Sequence, residues 1–436
     1  MVAWLIALVS PLGTASWVVR LPAIALFAAS GWLLFLSLRR WYDEETGMVG
    51  VLLHTMLPAF HWYSLIMLPD APLMFFWTLG IYASTRLLQD EDPRWWWVIG
   101  LATGLGMDSK YPAALLPLGA FLSIWLLKKD PRLALNLPMV GGALLALALF
   151  SPVVYWNATH DFASFRFQGA ERFQEVTSTR EKAASLIYPA VMLGPLLYLA
   201  VPWVLNWAGR QWRRPGVVVG ICFTLPFSLL ILYVSSRRLV NMNWPLPAYL
   251  GFLLLLAPWI VADRRRWMLV VPSAIFSFLP LLALVVPMAV ANRGDDINQW
   301  QPMARRAKEL QQQMPQPDRT FFLGYGYQAA SQLAFAGLPQ DRIVSVNALG
   351  MRALAYDYWT SPSTLVGWDA IVVDYCRVKA NGNWHPQLEV DEPLLQQHFE
   401  RVEPALEQEE LRAGQRLRLY RFRRAFNYRE ASAGSN

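Results

Sequence analysis

The sequence predicts an α-helical, polytopic membrane protein that ends in a small soluble α/β domain. Of its 436 residues, 55% are hydrophobic and only 16% are charged, whereas soluble domains usually carry about 25% charged residues. Apolar runs long enough to cross a bilayer recur through the first two thirds of the chain. The last third is charge-balanced and alternates strand and helix patterns. We therefore predict a membrane domain over residues 1–292 and a soluble domain over residues 293–436.

The membrane domain is predicted to contain ten apolar spans. In chain order they are residues 21–38, 47–68, 71–88, 95–107, 111–127, 137–156, 183–207, 215–234, 245–262 and 267–292. The span at 95–107 is the shortest, and it leads directly into Asp108 and Lys110. An even number of spans places both ends of the chain on the same side of the membrane.

Lysine and arginine residues indicate the orientation. Short connectors such as Arg39-Arg40 and Arg264–Arg266 hold more basic residues than the alternate loops do, so we expect them in the cytoplasm. Asp70, the loop at 157–182 and the soluble domain then face outward. The net charge of +7 reflects this orientation and does not indicate a nucleic-acid partner, so the expected partner is the lipid bilayer.

The first residues have neither the length of a span nor the composition of a signal peptide. Residues 1–10 lack a basic residue and are too short to cross a bilayer. An outward N-terminus needs a preceding span, so we expect a further span and an outer loop upstream of Met1.

The soluble domain is predicted to be a small α/β domain with a disordered end. Helices are predicted at 298–314 and 327–336, buried strands at 320–324, 343–346 and 370–376, and an edge strand at 417–423. Gly324-Tyr325-Gly326 lies between a strand and a helix. It lacks the third glycine of a nucleotide-binding loop, which favours an ordinary tight turn. Cys222 and Cys376 have no metal-binding spacing, and we expect no disulfide between them.

Asp70 is the strongest candidate for chemistry in the membrane domain. It lies in Leu68-Pro69-Asp70-Ala71-Pro72, between two apolar runs. A charge beside hydrocarbon is costly and is usually kept for function. The alternative interpretation is a turn former between two prolines, a role that asparagine would fill equally well.

Several cations on the predicted outer face break the charge rule and are candidates for phosphate binding. Arginine among aromatic residues suits phosphate oxygens at a membrane surface. The alternatives are a snorkelling lysine, an ion pair with Asp108, an interfacial amphipathic helix and simple membrane anchors. Together with Asp70, these cations indicate a site for an anionic, membrane-borne substrate. The candidate cations are Lys110, Arg166, Arg172, Arg237 and Arg238, with His160, Asp161 and Asn243 as supporting residues.

Five segments of the chain carry a resemblance to a known family: RLPAIALFAASGWLLFLSLRRWYDEETGMVGVLL, LPDAPLMFFW, GLGMDSKYPAALLP, SPVVYWNATHDFASFRFQ and NMNWPLPAYL. In the same order, they resemble bacterial membrane glycosyltransferases related to dolichyl-phosphate-mannose protein mannosyltransferases and to the lipid A aminoarabinose transferase. The resemblance is strongest over residues 1–245.

The resemblance implies a GT-C type fold and a sugar donor carried on a polyprenyl phosphate. It implies transfer on the periplasmic side of the inner membrane to a glycan, lipid or protein acceptor, and a periplasmic C-terminal domain. Asp70 matches the second outer-loop acid of the family, which would orient the acceptor or help to hold Mg²⁺ or Mn²⁺ near the donor phosphate. Lys110, and either Arg166 or Arg172, match phosphate-binding cations. The first span and its acidic loop in the family fall upstream of Met1.

Two other function classes stay open. One is a flippase or transporter for a lipid-linked sugar, although the later spans carry no charged residues near their midplane to line a path. The other is a non-catalytic protein that binds a lipid-linked sugar. Sugar transfer from a polyprenyl-phosphate donor separates an enzyme from both.

Overall fold

The protein forms two compact units in a computed structural model, Met1–Leu282 and Ala283–Asn436. The structure describes residues 1–13, 15–169, 187–290, 300–378, 383–386, 388–412 and 415–430. Arg172 and the predicted disordered end at 431–436 lie outside the described residues. Each unit has its own hydrophobic core, and the two are described separately.

The first unit is helical. Three-residue and five-residue 3₁₀ segments connect some of its helices, at Ser10–Leu12, Tyr111–Leu115 and Arg264–Arg266. The helices are α1 (Val2–Val9), α2 (Ser16–Trp41), α3 (Glu44–Met56), α4 (Pro58–Ser64), α5 (Asp70–Asp90), α6 (Trp95–Ser109), α7 (Leu116–Leu127), α8 (Pro131–Ala134), α9 (Leu137–Thr159), α10 (Ala163–Gly169), α11 (Ile187–Leu193), α12 (Pro195–Arg210), α13 (Pro215–Arg237), α14 (Leu246–Val261) and α15 (Trp267–Val290).

The described residues contain fewer full-length spans than the ten predicted. By length and composition, three helical stretches can cross a membrane: Trp17–Trp41, Pro131–Thr159 and Pro215–Arg237. The number rises to five if α11 with α12 and α14 with α15, which bend by 99° and 118°, each count as one span. The predicted span 47–68 is wrong as a single helix, because the chain breaks at Leu57-Pro58 between α3 and α4. Proline has no N–H to continue a helix.

Helix α5 forms the centre of the first unit. Fifteen of its 21 residues are buried, and it packs against α2, α6, α7 and α14. Its buried Thr78, Ser84 and Thr85 each donate a hydrogen bond to the carbonyl four residues earlier. These bonds satisfy the hydroxyl groups within apolar surroundings. The helix therefore holds its first residue, Asp70, in a fixed place.

Helices α6 and α9 lie side by side in parallel, at very close range. A Cβ on Gly100 would lie 2.1 Å from the Gly142 carbonyl oxygen, and a Cβ on Gly104 would lie 2.8 Å from the Ala146 carbonyl oxygen. Small residues allow such close helix packing. Because both helices advance by four residues between the two contacts, their C-terminal ends point the same way. The residues that follow each helix therefore lie at the same end of the bundle.

Ion pairs gather at the opposite end, where α2, α5 and α7 finish. Arg40 and Arg86 both bind Asp90, and Lys128 binds Glu91. These charges belong to the connectors that the sequence predicts to be cytoplasmic. The helix starts and ends near Asp70 therefore belong to the other face of the bundle.

The second unit is a mixed sheet with flanking helices. Its strands run in the order β2-β1-β3-β7-β5, with β4 beside β3 and β6 beside β7. β1 pairs in parallel with β2 and β3, and the other pairings are antiparallel. The elements are α16 (Trp300–Gln312), β1 (Thr320–Gly324), α17 (Tyr327–Phe335), β2 (Ile343–Val344), α18 (Tyr356–Trp359), β3 (Asp369–Val378), β4 (Trp384–Pro386), α19 (Glu392–His398), β5 (Phe399–Val402), β6 (Leu406–Arg412) and β7 (Gln415–Tyr428).

The predicted edge strand at 417–423 is wrong in its position, because β7 pairs on both sides. Its arginines are compatible with an interior strand because they meet a buried carboxylate. Asp374 is 1% exposed. It accepts hydrogen bonds from Arg421 Nε at 2.7 Å and from Arg423 Nη1 at 2.8 Å. Arg421 lies directly opposite Asp374 in the β3–β7 pairing, so this buried charge is paired within the sheet.

Candidate active site

Asp70 is the centre of a buried polar cluster. Its carboxylate is almost fully buried, at 2% exposure for the residue. Oδ1 accepts a hydrogen bond from Lys110 Nζ at 2.7 Å, and Oδ2 accepts one from Asn243 Nδ2 at 2.7 Å. Three residues that the sequence singles out in three separate loops thus meet at one point. We call Asp70, Lys110 and Asn243 the Asp70 cluster.

The helix ends explain why these residues meet. Asp70 is the first residue of α5, Lys110 directly follows α6, and Asn243 lies in the connection between α13 and α14. The Lys110 backbone is extended, and its N–H donates to the Gly106 carbonyl at 2.8 Å, which closes α6. A carboxylate at a helix start and an ammonium at a helix end both interact favourably with the helix dipoles.

Lys110 is the open side of the cluster. Its side chain is 24% exposed, whereas that of Asp70 is 3% exposed. An ammonium group has three donors, and among the described residues Lys110 uses one of them, for Asp70. The other two donors can bind phosphate oxygens while the carboxylate keeps the ammonium in place.

Arg166 lies on α10, a short helix anchored by Asn157. The Asn157 side chain is fully buried, and its Oδ1 accepts hydrogen bonds from the backbone N–H groups of Ser164 at 3.1 Å and Phe165 at 3.2 Å. Its Nδ2 donates to the Val153 carbonyl at 2.9 Å. Asn157-Ala158-Thr159 matches the short Asn-X-Thr pattern of glycosylation sites, but its asparagine lies inside the protein and acts as a cap. Arg166 itself is exposed.

The remaining candidates occupy the ends of α9 and α13. His160 Nδ1 lies 2.8 Å from the Trp156 carbonyl oxygen, and Asp161 is exposed in a turn with φ of 51°. The Arg237 guanidinium lies 5.5 Å from the centre of the Tyr233 ring. Arg238 is 9% exposed and lies 5.3 Å from the centre of the Trp244 ring, next to Asn243 in the chain.

Sequence reasoning missed Tyr111, which directly follows Lys110. Its hydroxyl forms a hydrogen bond with the hydroxyl of Ser164 on α10. Its ring makes edge contacts with Phe150 at 5.8 Å and Phe165 at 5.3 Å. A tyrosine directly after the candidate lysine could have been noted as a site residue, but no pattern in the sequence predicts Ser164 as its partner.

Comparisons with known proteins agree with this architecture. Residues 1–156 match the family model described as dolichyl-phosphate-mannose-protein mannosyltransferase. The lipopolysaccharide core galacturonosyltransferase RgtA of Rhizobium johnstonii is 24% identical over 269 residues, which are 58% of this chain and 52% of RgtA. The match thus spans about half the length of that curated relative.

Solved structures of ArnT from Cupriavidus metallidurans share the fold over nearly the whole chain. The structure bound to undecaprenyl phosphate has a TM-score of 0.63 at 12% identity, covering 96% of this chain and 87% of ArnT. The apo structure has a TM-score of 0.62 at 13% identity, with coverages of 96% and 86%. This chain thus shares its fold with these structures. The predicted polytopic GT-C fold with a small C-terminal sheet domain is confirmed.

The family match and the candidate site overlap only in part. Asp70 and Lys110 lie within the matched residues 1–156. Asn157 lies directly after them, near the end of α9. Arg166 and Asn243 lie beyond them. The Asp70–Lys110 pair thus belongs to the segment shared with the family model, and Asn243 completes it from a later part of the chain.

The expected Mg²⁺ or Mn²⁺ does not fit the described residues of the cluster. Such ions prefer several oxygen ligands, whereas Asp70 is the single carboxylate here and accepts from Lys110 and Asn243. The described residues contain no group of three His, Cys, Asp or Glu side chains that could hold a metal. The Lys110 ammonium, 2.7 Å from the carboxylate, also repels a cation at that place. The chemistry below therefore uses side chains alone.

Proposed function

We propose that this protein transfers a sugar from a polyprenyl-phosphate donor to a glycan, lipid or protein acceptor at the outer face of the bacterial inner membrane. One observation carries the proposal: a buried carboxylate holds Lys110 at the end of the helix bundle, and no described residue uses the other two donors of its ammonium group. Two similar proteins support it, since RgtA is a galacturonosyltransferase and ArnT was crystallised with undecaprenyl phosphate.

In the proposed reaction, an acceptor oxygen attacks the anomeric carbon of the donor sugar. The bond between that carbon and the phosphate oxygen breaks, and the polyprenyl phosphate leaves with the electron pair. The acceptor's proton passes to a base. Lys110, and Arg166 on α10, stabilise the negative charge that grows on the leaving phosphate. Fixed charges aimed at developing charge lower the barrier without reorganising during the reaction.

Asp70 has two parts in this scheme. Its first oxygen fixes the Lys110 ammonium, so the cation need not be ordered when the donor binds. Its second oxygen fixes Asn243, whose connection leads to Arg238 on one side and α14 on the other. Asp70 is therefore proposed as the residue that arranges the phosphate-binding face. Orienting the acceptor, as the family resemblance implies, would use the same carboxylate after Asn243 moves away.

The proposal also includes the sidedness of the protein. The basic connectors around Arg40 and Lys128 would face the cytoplasm, and the Asp70 cluster and the second unit would face the periplasm. The donor lipid would then reach Lys110 from the outer leaflet, where its phosphate lies at the level of the helix ends.

The test is transfer of radiolabelled sugar by the purified full-length chain in proteoliposomes. Polyprenyl-phosphate donors are offered with membrane lipids and lipopolysaccharide core as acceptors, and labelled product is separated by chromatography. Lys110→Ala should raise the KM for the donor by about tenfold to a hundredfold, since a hydrogen bond to a charged group contributes about 1.5–3 kcal/mol. Lys128→Ala, which removes an exposed lysine at the other end of the bundle, should leave the KM unchanged.

Two results would contradict the proposal. Donor binding without transfer to any acceptor would indicate a non-catalytic lipid-sugar binding protein. Movement of the label across the bilayer without a new glycosidic bond would indicate a flippase.

A further inference from the structure

The contact between Tyr111 and Ser164 joins the two segments that carry the proposed phosphate-binding cations. Tyr111 is bonded to Lys110 in the chain, and Ser164 precedes Arg166 by two residues. The two hydroxyls form a hydrogen bond between residues that are 53 positions apart in the sequence. The same tyrosine packs its ring edge against Phe165. Any shift of α10 relative to Lys110 would have to break both contacts.

Asn157 fixes the other side of the same helix. It binds the backbone N–H groups of Ser164 and Phe165 from a fully buried position. Its own carbonyl accepts from the Phe162 N–H at 2.8 Å, which closes the turn between α9 and α10. We call Tyr111, Ser164 and Asn157 the outer latch. It connects α6, α9 and α10, and α6 and α9 are themselves held together through Gly100 and Gly142.

The latch matters because α10 has little stability of its own. The helix contains seven residues, and isolated helices shorter than about 12–15 residues are marginal in water. Among its described residues, only Ala163 is buried. The contacts of Ser164 and Phe165 therefore help to hold Arg166 in place, and its exposed guanidinium forms no ion pair or hydrogen bond with the described residues.

We propose that the outer latch is a positioning device that sets the spacing between Lys110 and Arg166 for one lipid-linked phosphate group. This inference rests on the proposed function. An arginine binds phosphate with two parallel hydrogen bonds and is sensitive to geometry, whereas a lysine acts as a compact point charge. The latch would therefore act on the arginine contact, and it would change donor affinity more than the rate of the chemical step.

The test measures binding of undecaprenyl phosphate to the purified full-length chain. Tyr111→Phe removes the hydroxyl and keeps the ring contacts with Phe150 and Phe165. Ser164→Ala removes the other half of the same hydrogen bond. We expect each variant to weaken binding by about threefold to tenfold, the effect of losing about one hydrogen bond. Sugar transfer measured in parallel should show the same change in KM with kcat within a factor of about two.

Two comparisons separate positioning from a general loss of structure. Tyr111→Phe combined with Ser164→Ala should weaken binding no more than either change alone, since both remove one bond. In an Arg166→Ala background, Tyr111→Phe should have no further effect, because the residue that it positions is absent. The matched control is Tyr155→Phe, whose side chain lies on α9 and is 73% exposed for the residue; it should bind as the wild type does.

The outcomes are distinct. Wild-type affinity in Tyr111→Phe and Ser164→Ala would overturn the latch and leave the proposed function intact. Equal weakening by Tyr111→Phe with and without Arg166 would assign Tyr111 a structural role and overturn the positioning claim. Failure of the wild-type chain to bind undecaprenyl phosphate would overturn the proposed function, and the positioning role would fail with it.

Discussion

Removing Lys110 should destabilise the first unit more than neutralising Asp70 does. Lys110→Met leaves a carboxylate that is 2% exposed with Asn243 as its remaining partner. Removing one partner of a fully buried pair costs about 3–5 kcal/mol. Because the Lys110 side chain is 24% exposed, we place the loss at about 2–3 kcal/mol, below that range. The cost comes from stranding the buried charge.

Asp70→Asn leaves the Lys110 ammonium without its carboxylate partner, but water can reach that ammonium. The amide keeps the size of the carboxylate and one acceptor oxygen, and the released ammonium can turn to solvent. We expect a loss of about 1 kcal/mol, close to that of an ordinary hydrogen bond. In the double variant, Lys110→Met should cost much less than it does in the wild type, because no buried charge is left behind.

The assay is reversible unfolding of the purified chain in mixed micelles, followed by tryptophan fluorescence and far-ultraviolet circular dichroism. The matched control is Lys128→Met, which breaks the pair with Glu91. That pair is exposed, with side-chain exposures of 34% and 65%, and should contribute less than about 1 kcal/mol. Equal losses in the two lysine variants, or a larger loss in Asp70→Asn than in Lys110→Met, would refute the reasoning.

Four further expectations follow from other parts of the chain. Asn157→Ala should lower the midpoint of thermal unfolding through the loss of about 1–2 kcal/mol of capping. Asn157→Asp keeps an acceptor for the Ser164 and Phe165 N–H groups but loses the donor to the Val153 carbonyl, so it should restore only part of that loss. An unchanged midpoint in Asn157→Ala would contradict the capping role. Asp374→Asn should lower the unfolding midpoint of the full chain, because the paired Arg421 and Arg423 lose a buried charge; a gain in stability would contradict this. Treatment with EDTA should leave sugar transfer unchanged. If EDTA abolished transfer and added Mg²⁺ restored it, the metal ligands would have to lie beyond the described residues. An alkaline phosphatase fusion at Asn436 should be active and a green fluorescent fusion dark, and the reverse would overturn the orientation.

Much of the site could be predicted because its charged residues occur where a membrane protein usually has none or few. Asp70 lies between apolar runs, and Lys110 lies in the set of loops that the sequence predicts to face outward, where basic residues are fewer. A charged side chain in such a place needs an oppositely charged partner, and in the structure Asp70 and Lys110 pair with each other. Asn243 was visible only as a polar residue next to a conspicuous pair of arginines. Its hydrogen bond to Asp70 spans 173 residues, and no local pattern predicts such a pairing.

The parts that the sequence did not predict depend on burial and on partner choice. Asn157 caps α10 by accepting hydrogen bonds from two backbone N–H groups that are seven and eight residues ahead, a pairing that no local sequence pattern predicts. The strand at 417–423 is interior and not at an edge as expected, because Asp374 supplies a buried counter-charge for its arginines. The span at 47–68 is predicted as one helix because its residues are mostly apolar. Hydropathy does not reveal that Pro58 lacks the N–H needed to continue the helix.

The most direct test of the central claim compares sugar transfer by the wild-type chain and by Asp70→Asn. Both are purified, shown to be folded, and supplied with the same radiolabelled polyprenyl-phosphate donor. If the buried carboxylate arranges the phosphate-binding face, the variant should lose most of its transfer while remaining folded, because the charge that orders Lys110 is gone. Transfer at the wild-type rate by a correctly folded Asp70→Asn protein would contradict the account.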